Sequence, residues 1–186
     1  MPNLEEIISR AAQLAEGTAS DAFQSVVADA GFTYETLFPH VARYAARRIS
    51  AKGGAARDLS QSVTIDITNG SGEVPEYVIE ESLEDARLEN YPIAALVPYS
   101  DFARSRFNSA FPYFAFSAGN IYFTNGSDGA EEPFTGVLVL RTSVIPQLPE
   151  IITEAIPMSV NTGEQIILTL AAVMRGEIPL MQLVNQ

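Results

Sequence analysis

Histidine occurs once, at position 40, so any acid–base or nucleophilic mechanism built on an imidazole must pass through it. A serine activated by His40 would need an acid to orient the ring, and such sets are brought together by folding rather than by adjacency in sequence. His40 follows Pro39 at an apparent helix start, without local context for that role. There is no cysteine, which excludes thiolate nucleophiles, disulfides and Cys-ligated zinc, and one histidine cannot make a zinc triad. Lys52 is the single lysine; Lys52-Gly53-Gly54 runs in the wrong order for a phosphate loop, and no GxSxG elbow is present.

Carboxylates are the more abundant chemistry. Glu76, Glu80, Glu81, Glu84, Asp85 and Glu89 crowd one segment against Arg87 alone. Paired carboxylates bind Mg²⁺ or Ca²⁺, or exchange protons, when they converge in a pocket. Spread along one face they make a solvated surface or a contact with a basic partner. Asn125-Gly126-Ser127-Asp128-Gly129 has a faint likeness to a calcium loop but lacks the alternating ligands and the terminal Glu. Aromatic residues near Arg104 and Arg106 can stack single-stranded bases, yet the surrounding charge is negative and the pattern suits strand core equally well. No cofactor is expected.

The charge of the whole chain points the same way. Eleven basic residues against 23 acidic ones leave a formal net charge of -12 over 186 residues, which argues against a surface that grips nucleic-acid phosphates and favours solubility or a basic partner. With 47% apolar residues the chain can bury one core and a small satellite. No basic region followed by an apolar run opens the chain, and no apolar segment approaches ~18 residues. A soluble protein made without a secretion step, with no membrane partner, is expected.

The elements that must position these residues read as follows. Three helices are expected over Leu4 to Glu16, Ser20 to Ala30 and Tyr34 to Ser50, the last interrupted or kinked early by Pro39. The third carries Arg43, Arg47 and Arg48, the first two repelling each other at i,i+4. Ala51 to Leu59, with Gly53-Gly54, reads as a flexible connection. The alternation of Val63, Ile65 and Ile67 with Thr64, Asp66 and Thr68 predicts a strand with one buried face, ended by a turn at Asn69-Gly70. Pro75 is suited to start a helix over Glu76 to Glu89. A short strand or packed linker around Ile93 to Val97, a helix after Ser100, a hairpin of Tyr113 to Ser117 with Asn120 to Thr124, and a strand over Thr135 to Ile145 follow. Thr162 and Gln165 suggest a capping box for a last helix, Gly163 to Met174. The apolar end Glu177 to Gln186 reads as an extended tail that adds to a neighbour's sheet or fills its groove. The expected fold is thus α+β, helices packed with a small, mostly antiparallel sheet, in a single domain made of a helical part (1–52), a mixed part (60–175) and a tail (177–186).

Taken in order, these segments resemble the head-to-tail connector, or adaptor, proteins of tailed bacteriophages. The resemblance covers most of the chain: the helical N-terminal region, Val63-Thr64-Ile65-Asp66-Ile67-Thr68-Asn69-Gly70, Val74-Pro75-Glu76, Ser100-Asp101-Phe102-Ala103-Arg104, the aromatic stretch Tyr113 to Phe123, Ser143-Val144-Ile145-Pro146, and Leu148-Pro149-Glu150 leading to the final helix. None of these motifs is catalytic. The resemblance implies a structural virion protein of the neck or tail region, made in the host cytoplasm. Its copies would form a ring, usually twelve-fold, joining the portal protein to the tail tube or nozzle protein, with packaged DNA passing through without specific binding.

It further implies that Arg43, Arg47 and Arg48 meet Glu80 and Glu84 of the next copy, and that Leu180 and Leu183 in the tail dock on the portal or a neighbouring protomer. The acidic loop Asn125 to Pro133 departs from the pattern and leaves another virion component, such as a stopper or tail-completion protein, as an alternative. A small hydrolase-like enzyme using His40 is the alternative from another class.

Overall fold

In the computed structural model of the protein, the structure describes residues 1–15, 18–51, 59–105, 110–126 and 133–185. Lys52, Arg57, Arg106 and most of the acidic loop therefore lie outside the described residues. The chain forms two compact units, one made of Met1–Leu59 with Ile145–Gln186 and the other of Ser60–Val144. The first joins the two ends of the chain, a pairing that the linear division into helical part, mixed part and tail does not contain. The result is a mixed α+β fold with two small sheets.

The first unit is helical: α1 (Leu4–Leu14), α2 (Thr18–Asp29), α3 (Tyr34–Ala51), α5 (Val160–Met174) and α6 (Leu180–Val184). Asn3 starts α1 by a reciprocal cap, its Oδ1 accepting from the Glu6 N–H at 2.8 Å while the Glu6 carboxylate accepts from the Asn3 N–H at 3.3 Å. Thr33 and Thr36 make the equivalent exchange ahead of α3. That helix continues through Pro39. The hydrogen bond a proline cannot donate would have gone to the carbonyl of Glu35, an exposed residue of the first turn. The cap of α5 is Ser159, which accepts from the Thr162 N–H at 3.1 Å; Thr162 itself is buried inside the helix rather than capping it. Both α1 and α3 lie against α5, and Ile7, Leu37, Ile166 and Ile167 are sealed in their common core.

The second unit holds α4 (Tyr99–Ser105) and seven strands: β1 (Ser60–Ile67), β2 (Ser71–Glu73), β3 (Arg87–Leu88), β4 (Ala95–Leu96), β5 (Tyr113–Ser117), β6 (Asn120–Thr124) and β7 (Gly136–Ser143). They form a sheet in the order β1-β7-β3 and another in the order β2-β6-β5-β4, antiparallel except for the short β4–β5 pair. Val63, Ile65, Ile67, Leu138 and Leu140 of one sheet share a core with Phe114, Ile121 and Phe123 of the other, as the period-two alternation of β1 requires.

Two tight turns set the register. Asn69 (φ 54°) and Gly70 (φ 79°) link β1 to β2, and Ala118 (φ 49°) and Gly119 (φ 74°) link β5 to β6, the paired left-handed residues of a type I′ hairpin. Gly72 then lets β2 leave β1 for the other sheet: a Cβ there would stand 2.4 Å from the Asp66 carbonyl oxygen.

Two expectations are overturned. Glu76 to Glu89 is not an α-helix: Glu80–Asp85 is a 3-10 segment, and Arg87–Leu88 is strand β3. Like charges at helical spacing (Glu76/Glu80, Glu80/Glu84, Glu81/Asp85) disfavour an α-helix, while pairing with β7 offers the backbone another partner. The end of the chain is not extended either, since Leu180–Val184 is a short helix beside α3.

Candidate functional site

The Ser82 hydroxyl fixes the acidic segment to the sheet beneath it. It donates to the Ile79 carbonyl at 2.6 Å, lies 2.9 Å from Thr142 Oγ1, and accepts from the Ser143 N–H at 3.3 Å. With Val78, Ile79 and Ala86 buried, Leu83 packed against the core and Ser82 occupied, the carboxylates turn outward: Glu80, Glu81, Glu84 and Asp85 are all exposed. Among the described residues, no three histidine or carboxylate side chains gather as a metal site.

The basic counterpart lies in the first unit. Arg43 and Arg47 are half-buried on α3, and Arg48 is exposed, its guanidinium 5.9 Å from the centre of the Tyr44 ring. Acidic side chains thus stand on one unit and basic ones on α3 of the other. Leu180 and Leu183 sit together on α6, but differently: Leu180 is half-buried, whereas Leu183 is 1% exposed and packed into its own unit, a placement other than the contact between subunits expected of it. Met181, between them, is 62% exposed.

His40 is half-buried and meets the Phe32 ring edge-on, the centroids 6.1 Å apart. No carboxylate or hydroxyl of the described residues is hydrogen-bonded to it. Arg175 makes a bidentate pair, with Nε 2.6 Å and Nη2 3.1 Å from the two oxygens of Glu177, and its Nη1 donates to the Leu14 carbonyl. Those hydrogen bonds hold the Glu177 carboxyl below its usual range. Burial raises the Tyr34 phenol, partly offset by the Gln24 side chain, and the residue lies beside the apolar side chains of Leu4, Leu37 and Ile166.

Sequence reasoning missed a set of exposed apolar side chains on segments joined at the N-terminus. The Pro2 carbonyl accepts from the Ile156 N–H at 3.0 Å, Asn3 Nδ2 donates to the Thr153 carbonyl, and Pro2 also approaches Gly163. The segments joined in this way carry Met1, Ile151, Ile152 and Val160, which are 80%, 58%, 46% and 82% exposed. The adjacent Ile151-Ile152 in a proline-punctuated connector is the only signal in the sequence. Also missed was the Asn90 side chain, which accepts from the Val139 N–H at 3.1 Å and donates to the Val137 carbonyl at 3.0 Å, extending the β7 ladder where β3 ends.

No family model matches this chain, and no curated protein matches it. Among the described residues, no helix is long and apolar enough to cross a membrane.

Proposed function

We propose that the protein is a structural component of a tailed-bacteriophage particle, a connector whose copies close into a ring between portal and tail. The observation that carries this reading is the set of exposed apolar side chains Met1, Ile151, Ile152 and Val160 on segments joined by hydrogen bonds. Single exposed apolar side chains need no explanation, but a group of them held in place by backbone hydrogen bonds suits attachment to another protein. The order of segments along the sequence supports the same assignment.

In a head-to-tail ring each copy presents one surface to a different surface of the next. Arg43, Arg47 and Arg48 facing Glu80 and Glu84 supply such a pair, giving register and fast encounter more than raw affinity. On α6, Met181 and Leu180 remain the side chains free to dock on the portal, Leu183 serving instead to anchor that helix. The net charge of -12 would keep packaged DNA moving past the ring by repulsion. The role is mechanical, and no reaction is assigned.

Mass measurement of the purified chain, alone and with the portal protein of the same particle, tests the proposal. A ring of defined stoichiometry on the portal is expected. A monomer indifferent to portal overturns it.

A further inference from the structure

The second unit leaves one strand edge open, and its hydrogen-bonding groups can be assigned residue by residue. On the far side of the β7 ladder, the Val139 carbonyl accepts from Glu89, and Asn90 bonds the Val139 N–H and the Val137 carbonyl. Odd-numbered residues of β7 therefore bond toward β3 and even-numbered ones toward β1. Through the register Leu138↔Ile65, Leu140↔Val63 and Thr142↔Gln61, the odd residues of β1 take up that ladder. The even residues must point the other way. The turn confirms this independently, because Thr68 and Ser71 exchange both backbone bonds at 2.9 and 3.2 Å on that opposite side.

Beyond Asp66, where Gly72 of the departing β2 covers the edge, the backbone N–H and C=O groups of Ser62 and Thr64 have no partner among the described residues, and Ser60 points the same way. Few of the devices that normally blunt such an edge are found among the described residues: β1 has no proline, no lysine and no bulge, and its one charge, Asp66, lies where Gly72 already stands. Elsewhere the sheets end in much shorter edge strands: β2 has three residues, and β3 and β4 have two each.

We propose that β1 of a second copy pairs antiparallel with this edge, about a two-fold axis at Ser62. Among the described residues, an open edge of matching length occurs only on β1 itself, so the complementary edge is the same strand of another copy. Placing Ser62 opposite Ser62 and Ser60 opposite Thr64 is the register that pairs all three open residues, each pair exchanging two bonds. Shifting the axis toward Thr64 sets Asp66 against the incoming strand, where Gly72 already stands. The outward side chains that meet are Ser60, Ser62 and Thr64; Ser60 Oγ accepts from Arg141 Nε at 3.0 Å and Ser62 Oγ donates to Glu89 Oε2 at 2.8 Å within each copy, so the groups directly opposite across the strands are small and uncharged. This contact joins identical surfaces, so it is independent of the head-to-tail ring contact.

The absence of native cysteine makes the test direct. In the proposed register the Cα atoms of the two Ser62 residues lie about 5.5 Å apart, within disulfide reach. Under mild oxidation Ser62→Cys is expected to give covalent dimer at least ten-fold faster than Ser60→Cys, and Ser60→Cys mixed with Thr64→Cys should cross-link as a heterodimer. Equal rates for Ser62→Cys and Ser60→Cys, or no cross-linking in the mixture, overturn the proposal. Folding of each variant is checked by circular dichroism, and amide exchange of unsubstituted protein gives a second reading. Ser62 and Thr64 should become protected as concentration rises; exchange that is independent of concentration also refutes the contact.

Discussion

Replacing Asn90 tests how the sheet manages its edges. Its side-chain amide makes two hydrogen bonds to β7, one accepted from the Val139 N–H at 3.1 Å and one donated to the Val137 carbonyl at 3.0 Å. A hydrogen bond of this kind contributes a net ~0.5–1.5 kcal/mol. Asn90 is exposed, so water replaces part of each bond and the lower half of that range applies. Asn90→Ala should therefore cost about 1–2 kcal/mol in urea unfolding, equivalent to roughly a 5- to 30-fold change in the folded ratio.

Asn90→Asp separates the two bonds. At neutral pH a carboxylate still accepts from Val139 but cannot donate to Val137, so the Val139 amide should stay protected in Asn90→Asp and exchange faster in Asn90→Ala. If Val139 exchanges alike in both variants and in the parent protein, Asn90 does not extend the ladder, and the assignment of inward and outward backbone groups loses its support on the β3 side.

Ala118 is held at φ 49° in the β5–β6 turn, a conformation that costs a non-glycine residue ~1–2 kcal/mol. Ala118→Asn should raise the thermal midpoint, and an unchanged or lower midpoint contradicts that strain. The depressed Glu177 carboxyl contributes stability above its unfolded pKa, lost as pH falls through the lower folded value. Its NMR titration midpoint should rise in Arg175→Ala, and a midpoint that stays put rules out hydrogen bonding from Arg175 as the cause. For the ring contact, Glu80→Lys with Glu84→Lys in one protein, and Arg43→Glu with Arg47→Glu in another, should each reduce assembly at least ten-fold. Mixing the two should restore it, because basic helix then meets acidic segment only between unlike copies; sedimentation that shows no recovery removes this contact.

The alternating residues of β1 and the Asn69-Gly70 turn made the strand and its buried face legible, because both depend on local geometry. The hairpin of Tyr113 to Ser117 with Asn120 to Thr124 was legible for the same reason, even though Ala118 takes the position that usually goes to Asn or Gly. Glu76 to Glu89 was not. Its apolar spacing suits a helix, but what decides the outcome is Ser82 bonding to Thr142 and Ser143, some 60 residues away. Leu183 was misplaced for a similar reason: an apolar chain end reads as a free arm unless the helices it packs against are already known. The carboxylates Glu80, Glu81, Glu84 and Asp85 and the arginine Arg48 were identifiable as surface charge. Their division between two units follows from the chain ends coming together, which no local pattern encodes.

The central claim is that this protein acts by assembling with its own copies and with a portal. Native mass spectrometry of the chain mixed with portal protein, combined with electron microscopy of the same sample, tests it most directly. A closed ring of this protein stacked coaxially on the portal, with an open central channel, is expected. Separate portal rings and monomers at every mixing ratio would contradict it.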